Sequence, residues 1–339
     1  MTANGLRIIA KKEFSDHIRS RRFHLLLGIL VVIAAVGMIA GVVQYSKDIA
    51  DYNAVQTITQ SEDLTVDGDL AGMKPSILSV YYQMGILTAS IGVVLGIAMG
   101  FDLVTREKEN KTLKILLSHP IYRDEVINGK ALGGLGAIAL AMGIVLIVSL
   151  AIMSIFGLVP DHEEMVRILI SGVVSFLLMF TFFSLSLLMS AVSKDSGSAL
   201  LYALIVMIVL SSFIPIFTFG PVYSAIFGDP PDLPGTSTYA YQQSSSTYTR
   251  VGVTSGDTIE SEDLEAYEKA SRRYMTQKQM ITDIVTLISP TGNYQAVQNV
   301  VCRPGGEMQG IACNVIALLA MPAAFFGVAW VRFMREDIR

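Results

Sequence analysis

Long uncharged runs broken by short charged ones set the pattern of this chain. Reading from one Asp, Glu, Lys or Arg to the next gives six long windows with no formal charge: 23–46, 75–101, 131–160, 168–193, 196–228 and 308–331. They hold 24 to 33 residues each and 164 in all. At the chain's 16% charge frequency they would carry about 26 charges. A bilayer core needs roughly 20 apolar residues per helix, and a central Asp, Lys or Arg costs about 2.5–3.5 kcal/mol to insert. Buried helices of a soluble protein keep an amphipathic stripe, whereas these windows are apolar all round. The pattern predicts an all-α integral membrane protein with six transmembrane helices.

The polar stretches between the windows predict the remaining organisation. Residues 1–22 form an N-terminal amphipathic arm, and 23–228 hold helices one to five, with an outer loop at 47–74 and a charged loop at 105–130. An extracytoplasmic insertion, 229–307, separates helix five from helix six within 308–331, and 332–339 is a tail. In the insertion, Tyr- and Thr-rich sequence over 238–253 fits a hairpin. The stretch from Ser261 to Ser289 reads as a helix, polar first and apolar last, with Ser261 as N-cap and Ser289-Pro290 as its break. The links of seven (161–167) and two residues (194–195) make helices three, four and five antiparallel neighbours. Gly92, Gly96 and Gly100 repeat at four-residue steps on helix two, the spacing of close helix packing. Pro215 and Pro322 are candidate kinks in helices five and six.

Charge gives an orientation. Assigning alternate connections to opposite sides leaves +6 on the side holding both termini and −10 on the other. The positive side is expected to be cytoplasmic, so both termini are cytoplasmic. Five basic residues, Lys11 to Arg22, precede the first window, which reads as a retained helix and not as a cleaved signal.

Composition supports the class: 339 residues, 52% hydrophobic, mean hydropathy +0.53. Chemistry is mostly missing. There is no G-x-x-x-x-G-K-[ST] phosphate loop; the nearest stretch, "RDEVINGKA", has Asp124 for the first glycine and Ala131 for the hydroxyl. No HExxH or GxSxG occurs, and His17, His24, His119 and His162 fall in separate regions. No catalytic or metal site is expected, and the substrate-binding residues stay open. Cys302 and Cys313 could pair or stay free. Ion-coupled carriers usually keep charged or histidine side chains within the membrane, and here only His24 lies in a window, at its edge. Energy for transport would have to come from a motor acting on the cytoplasmic face.

The charged loop suggests where that motor acts. "REKENKTLKILLSHPIYRDEVINGK", Arg106–Lys130, holds six basic and four acidic residues between two apolar windows. Leu113, Leu116 and Leu117 fall at i, i+3 and i+4, so a helix over roughly 109–118 would show one apolar face. Pro120 ends it, and Arg123-Asp124-Glu125 restarts a helix into the third window. The same spacing also fits a solvated amphipathic loop at the interface.

This stretch resembles the cytoplasmic loop of the type-2 exporter permeases of ATP-binding-cassette (ABC) transporters, a group that includes permeases of copper-enzyme maturation systems. Glu107, Glu109, Thr112, Leu113, Leu116, Leu117, Ser118, Pro120, Arg123, Gly129 and Lys130 carry the likeness. The N-terminal "IIAKKEFSDHIRSRRF", with Glu13, Arg21 and Arg22, is similar to the family's connecting arm, and "ISPTGNY" to its outer re-entrant hairpin. The resemblance implies that the loop is a coupling helix docked on a separate ABC ATPase subunit, with Leu113, Leu116 and Leu117 as docking surface. It implies Glu107 and Glu109 as polar contacts to the arm or the ATPase, and Arg21 and Arg22 as anchors on anionic headgroups. The expected partners are that ATPase, a second permease subunit (homodimer or heterodimer) and membrane lipid, with no nucleic acid. ATP and Mg would be bound by the ATPase and no cofactor by this chain, which would be a permease and not itself an enzyme, in the cell membrane. The alternatives are an ion-coupled carrier, or a non-transporting anchor or receptor whose extracytoplasmic segment binds a partner.

Overall fold

Residues Phe23 to Ser46 are largely Leu, Ile, Val, Ala and Gly without proline. In lipid such a segment can pair every backbone N–H and C=O only by coiling into a helix, and the other windows meet the same demand. A computed structural model describes residues 3–61, 75–111, 122–231, 236–243, 246–253, 261–302 and 308–335. In chain order the helices are α1 (Ala3–Arg19), α2 (Arg21–Ser61), α3 (Leu78–Gly100), α4 (Thr105–Glu109), α5 (Arg123–Ile155), α6 (His162–Val192) and α7 (Ser196–Ile208). A wide π turn at Val209–Phe213 and a tight 3-10 turn at Pro215–Thr218 come next. Then come α8 (Gly220–Phe227), strands β1 (Thr236–Gln243) and β2 (Ser246–Val253), and helices α9 (Ser261–Ile288), α10 (Pro290–Val301) and α11 (Ala312–Met334). Six segments among the described residues are long and apolar enough to cross a membrane: Arg21–Ala54, Leu78–Glu109, Arg123–Ile155, His162–Val192, Ser196–Thr218 and Ala312–Met334. This is a six-span helical membrane protein.

Several boundaries differ from the sequence expectation. The outer loop expected from residue 47 stays helical to Ser61, because Lys47–Ser61 has no Gly or Pro to stop it and charges are tolerated beyond the hydrocarbon. The fifth window does not form one helix. Pro215 has no N–H to continue the ladder, so it opens the 3-10 turn, and the span ends near Thr218 with α8 as a separate short helix. Pro322, by contrast, sits inside the continuous α11. The hairpin is present with Thr236 opposite Val253 and Gln243 opposite Ser246, two residues longer at its start than the sequence suggested.

Helix α6 is the hub, packed against α3 on one side and α11 on another, with α2 lying on α3. It also touches its chain neighbours α5 and α7. Its start is closed by a capping box between Asp161 and Glu164. The Gly92–Gly96–Gly100 face is the α3–α6 contact, so within this chain the ladder serves bundle packing. A Cβ on Gly96 would lie 2.6 Å from the Met179 carbonyl oxygen, and one on Gly100 2.7 Å from that of Phe183. These are backbone atoms and cannot swing away. One turn on, Ser186 Oγ donates to the Ile97 carbonyl at 2.8 Å. Gly96→Ala is therefore expected to cost about 1–3 kcal/mol through overpacking, seen as a lower unfolding temperature in detergent. Gly143→Ala, with nothing within 4 Å of the added carbon, should be neutral or slightly stabilising, since alanine favours the helix.

The opposite end of the bundle from α1 is closed by α10. After Ser289, whose side chain accepts from Gly292 N at 3.1 Å, the chain reverses and α10 enters among the spans. Tyr294 Oη donates to the Gly85 carbonyl at 2.9 Å and lies 3.1 Å from Ser175 Oγ. Gln298 Nε2 donates to Ser171 Oγ and to Tyr294 Oη, both at 2.8 Å. Each of these four buried side chains thus finds a partner, as a site this dry requires. Cys302, buried at the end of α10, and Cys313, exposed on α11, are both free.

Candidate coupling site

At the α1 end the chain gathers the charges that its spans exclude. The arm α1 lies along the first turns of α5, and glycines again allow the approach. A Cβ on Gly129 would come within 2.7 Å of Ile9 Cγ2, and one on Gly133 within 2.9 Å of the Phe14 backbone nitrogen. Across this seam Lys130 Nζ donates to Glu13 Oε1 at 2.8 Å and meets Glu107 Oε1 of α4, also at 2.8 Å. The lysine side chain is only 4% exposed, and those of Glu13 and Glu107 are 12% and 18% exposed. One ammonium therefore joins the arm, the elbow after the second span and the start of the third.

The same elbow grips the turn between α6 and α7. Ser190 Oγ accepts from the backbone N–H groups of Val104 and Thr105 at 3.0 and 3.1 Å. Lys108 Nζ donates to the Ala191 and Ser193 carbonyls at 2.9 and 3.3 Å, the open C-terminal end of α6. Glu109 accepts from Ser196 N at 2.6 Å and from Ser196 Oγ at 3.1 Å, at the first residue of α7. A cation on a helix C-terminus and an anion on an N-terminus each complement the local dipole and satisfy groups left without intrahelical partners. In the turn itself Asp195 accepts from Ser198 N and Oγ, both at 2.8 Å, and the backbone bond foremost holds its carboxyl below the usual range.

Arg22, at the start of the first span, pairs with Asp102 at 3.0 Å and lies 5.8 Å over the Phe101 ring. Its charge is therefore engaged by the protein itself. Arg21 is exposed beside it on the rim of a cleft of about 1040 Å³, whose wall includes His17, Asp102, Arg106, Glu107 and Lys130. Burial lowers the His17 imidazole below its ordinary value, although Glu13, Asp102 and Asp16 pull the other way, and its Nε2 has no hydrogen-bond partner among the described residues.

Of the residues picked out from sequence, Glu13, Glu107 and Lys130 meet directly, Glu109 reaches α7, and Arg123 opens α5. Thr112, Leu113, Leu116, Leu117 and Pro120 lie outside the described residues. The helix expected over 109–118 does not begin where expected. Helix α4 ends at Glu109, and Lys111 takes a left-handed backbone, φ 56°, which breaks the turn before residue 112. Sequence reasoning passed over Asp102, Thr105, Lys108 and Ser190, whose partners sit some eighty residues away. It also passed over Gly133 and took Gly129 only as part of the family likeness, although their four-residue spacing was a readable signal.

A membrane-embedded helical bundle with an arm and a charged elbow locked together at one end is the frame of a transporter's membrane component. Residues 7–338 match the family described as ABC-2 family transporter protein, so the chain belongs to that family. Permeases of this family generally work with a separate ATPase subunit. No curated protein matches the sequence.

Proposed function

We propose that the chain is the transmembrane permease subunit of an ABC exporter in the cytoplasmic membrane, driven by ATP that a separate subunit hydrolyses. Two permease subunits, alike or different, enclose the path, and the ATPase holds ATP and Mg. The observation that carries this reading is the Glu13–Lys130–Glu107 junction in a chain of the ABC-2 family. The described ends of the 105–130 loop, residues 105–111 and 122–130, are fastened to the arm, the second and third spans, and the turn between the fourth and fifth. A push on Leu113, Leu116 and Leu117 by an ATPase would therefore reach most of the bundle. Arm 1–22, loop 105–130 and tail 332–339 then lie in the cytoplasm, and insertion 229–307 outside. Purified alone, the chain should hydrolyse no ATP, because it has no phosphate-cradling loop. Reconstituted with its ATPase, it should show ATP-dependent transport. Steady hydrolysis by a preparation free of any nucleotide-binding subunit would refute the assignment.

A further inference from the structure

Helix α9, in the insertion, has two faces. Tyr267, Ser271, Tyr274, Lys278, Ile281 and Val285 recur at three- and four-residue steps and are half-buried, the seam by which α9 packs on the Pro215–Thr218 turn and α11. There the Tyr274 ring meets that of Tyr223 edge-on at 5.6 Å, and Lys278 Nζ lies 5.8 Å over the same ring. The outward face carries Met280, Ile284, Leu287 and Ile288, spaced i, i+4, i+7 and i+8. These side chains are 55%, 58%, 36% and 48% exposed. Lys269, Arg272 and Arg273 stand on the same outward side nearer the start of the helix and are exposed.

The depth of this stripe is fixed by the next helix. One residue separates α9 from α10, and Tyr294 of α10 binds the Gly85 carbonyl, seven residues inside the second span. Seven helical residues rise about 10 Å, so α10 reaches below the end of that span and the last turns of α9 must come down to meet it. We infer that the outward face of α9 is a lipid-binding surface, with Ile284, Leu287 and Ile288 in hydrocarbon and Lys269, Arg272 and Arg273 on phospholipid phosphates of the leaflet opposite α1. Arg273 stands ten residues before Asp283, the last charge before the apolar end of the stripe, a rise of about 15 Å at most, since tilt shortens it. The headgroup layer is roughly 5–8 Å thick on each side of the core, and arginine extends along apolar surface to reach it. A guanidinium fork fits a phosphate. Glu268 pairs with Arg272 at 3.4 Å, an exposed contact that a phosphate can displace. Asp283, exposed beside Met280, marks the boundary at which charge is still hydrated. The surface would hold α9, and through Ser289 the inserted α10, at a fixed depth.

The test uses the full chain in phosphatidylcholine/phosphatidylglycerol proteoliposomes. Cys313→Ser removes the exposed thiol, and nitroxides are placed one at a time through Glu265→Cys, Ile284→Cys and Leu287→Cys. At 284 and 287, collision with oxygen should exceed collision with a water-soluble nickel chelate at least threefold, with the order reversed at 265. In native mass spectrometry, Lys269→Gln/Arg272→Gln/Arg273→Gln should halve the phosphatidylglycerol retained, and millimolar inorganic phosphate should not displace it. Nickel access at 284 and 287 equal to that at 265 would overturn the inference. So would shielding of both labels from both reagents with spin coupling between protomers, which would put a second copy on this face. Unchanged lipid retention, or displacement by free phosphate, would remove the phospholipid claim.

Discussion

Replacing Lys130 with methionine should release the arm from the bundle. Its ammonium lies 2.8 Å from one oxygen of Glu13 and 2.8 Å from one of Glu107, and its side chain is 4% exposed. Without the cation, two largely buried carboxylates lose the ammonium they share. Breaking such a buried group by removing one partner costs about 3–5 kcal/mol, because the remaining charge stays desolvated. Either a carboxylate turns out to water or the α1–α5 seam opens. Hydrogen exchange across residues 3–19 should therefore rise by two orders of magnitude or more, and the unfolding temperature should fall. The neutral set Glu13→Gln/Lys130→Met/Glu107→Gln should recover most of the stability, since buried ion groups are often replaceable by uncharged ones of similar size. If the junction transmits motion, that triple variant should still couple ATP to transport poorly. Slow arm exchange in Lys130→Met itself would mean that the junction does not hold the arm.

The six spans were legible because lipid leaves a backbone no alternative, so the absence of charge over some two dozen residues is a direct physical signal. The extension of α2 to Ser61 was hidden for the same reason. Lys47, Asp48 and Asp51 end the uncharged window without ending the helix. The fifth span shows the converse, since its window stays apolar past Pro215 while the backbone turns there. At the candidate coupling site, Glu13, Glu107 and Lys130 could be chosen by resemblance, but their meeting on one ammonium could not be read from spacing. The three come from α1, α4 and α5; the packing of Gly129 and Gly133 against the arm brings Glu13 to Lys130, and Glu107 comes to the same ammonium from α4. Lys108 and Glu109 show a related limit. Lys108 looks like an ordinary solvated charge in "REKENK" until the end of α6 is placed beside it. Glu109, picked out by resemblance as a contact to the arm or the ATPase, reaches the start of α7 instead, which only the placing of that helix reveals.

The double change Leu116→Asp/Leu117→Asp should abolish the pairing of this chain with its ATPase. If both leucines fill a groove on that subunit, the variant forces two carboxylates into a contact that excludes water. Burying an unpaired charge costs several kcal/mol, while about 1.4 kcal/mol already lowers affinity tenfold. The membrane spans should still insert, because residues 116 and 117 lie outside all six. The Glu13–Lys130–Glu107 junction involves neither residue, so the arm should keep its slow exchange. Lys111→Gln/Lys114→Gln is the matched control, since changes on a solvated face usually stay within about 0.5 kcal/mol. The decisive measurement is the amount of ATPase that co-purifies with each tagged permease from membranes expressing both, read with ATP-dependent transport in proteoliposomes. A loss of at least tenfold in both for the Asp variant, with the Gln control near wild type, is the predicted result. An Asp variant that retains its ATPase and transports normally would contradict the assignment of the 106–130 elbow as the coupling element.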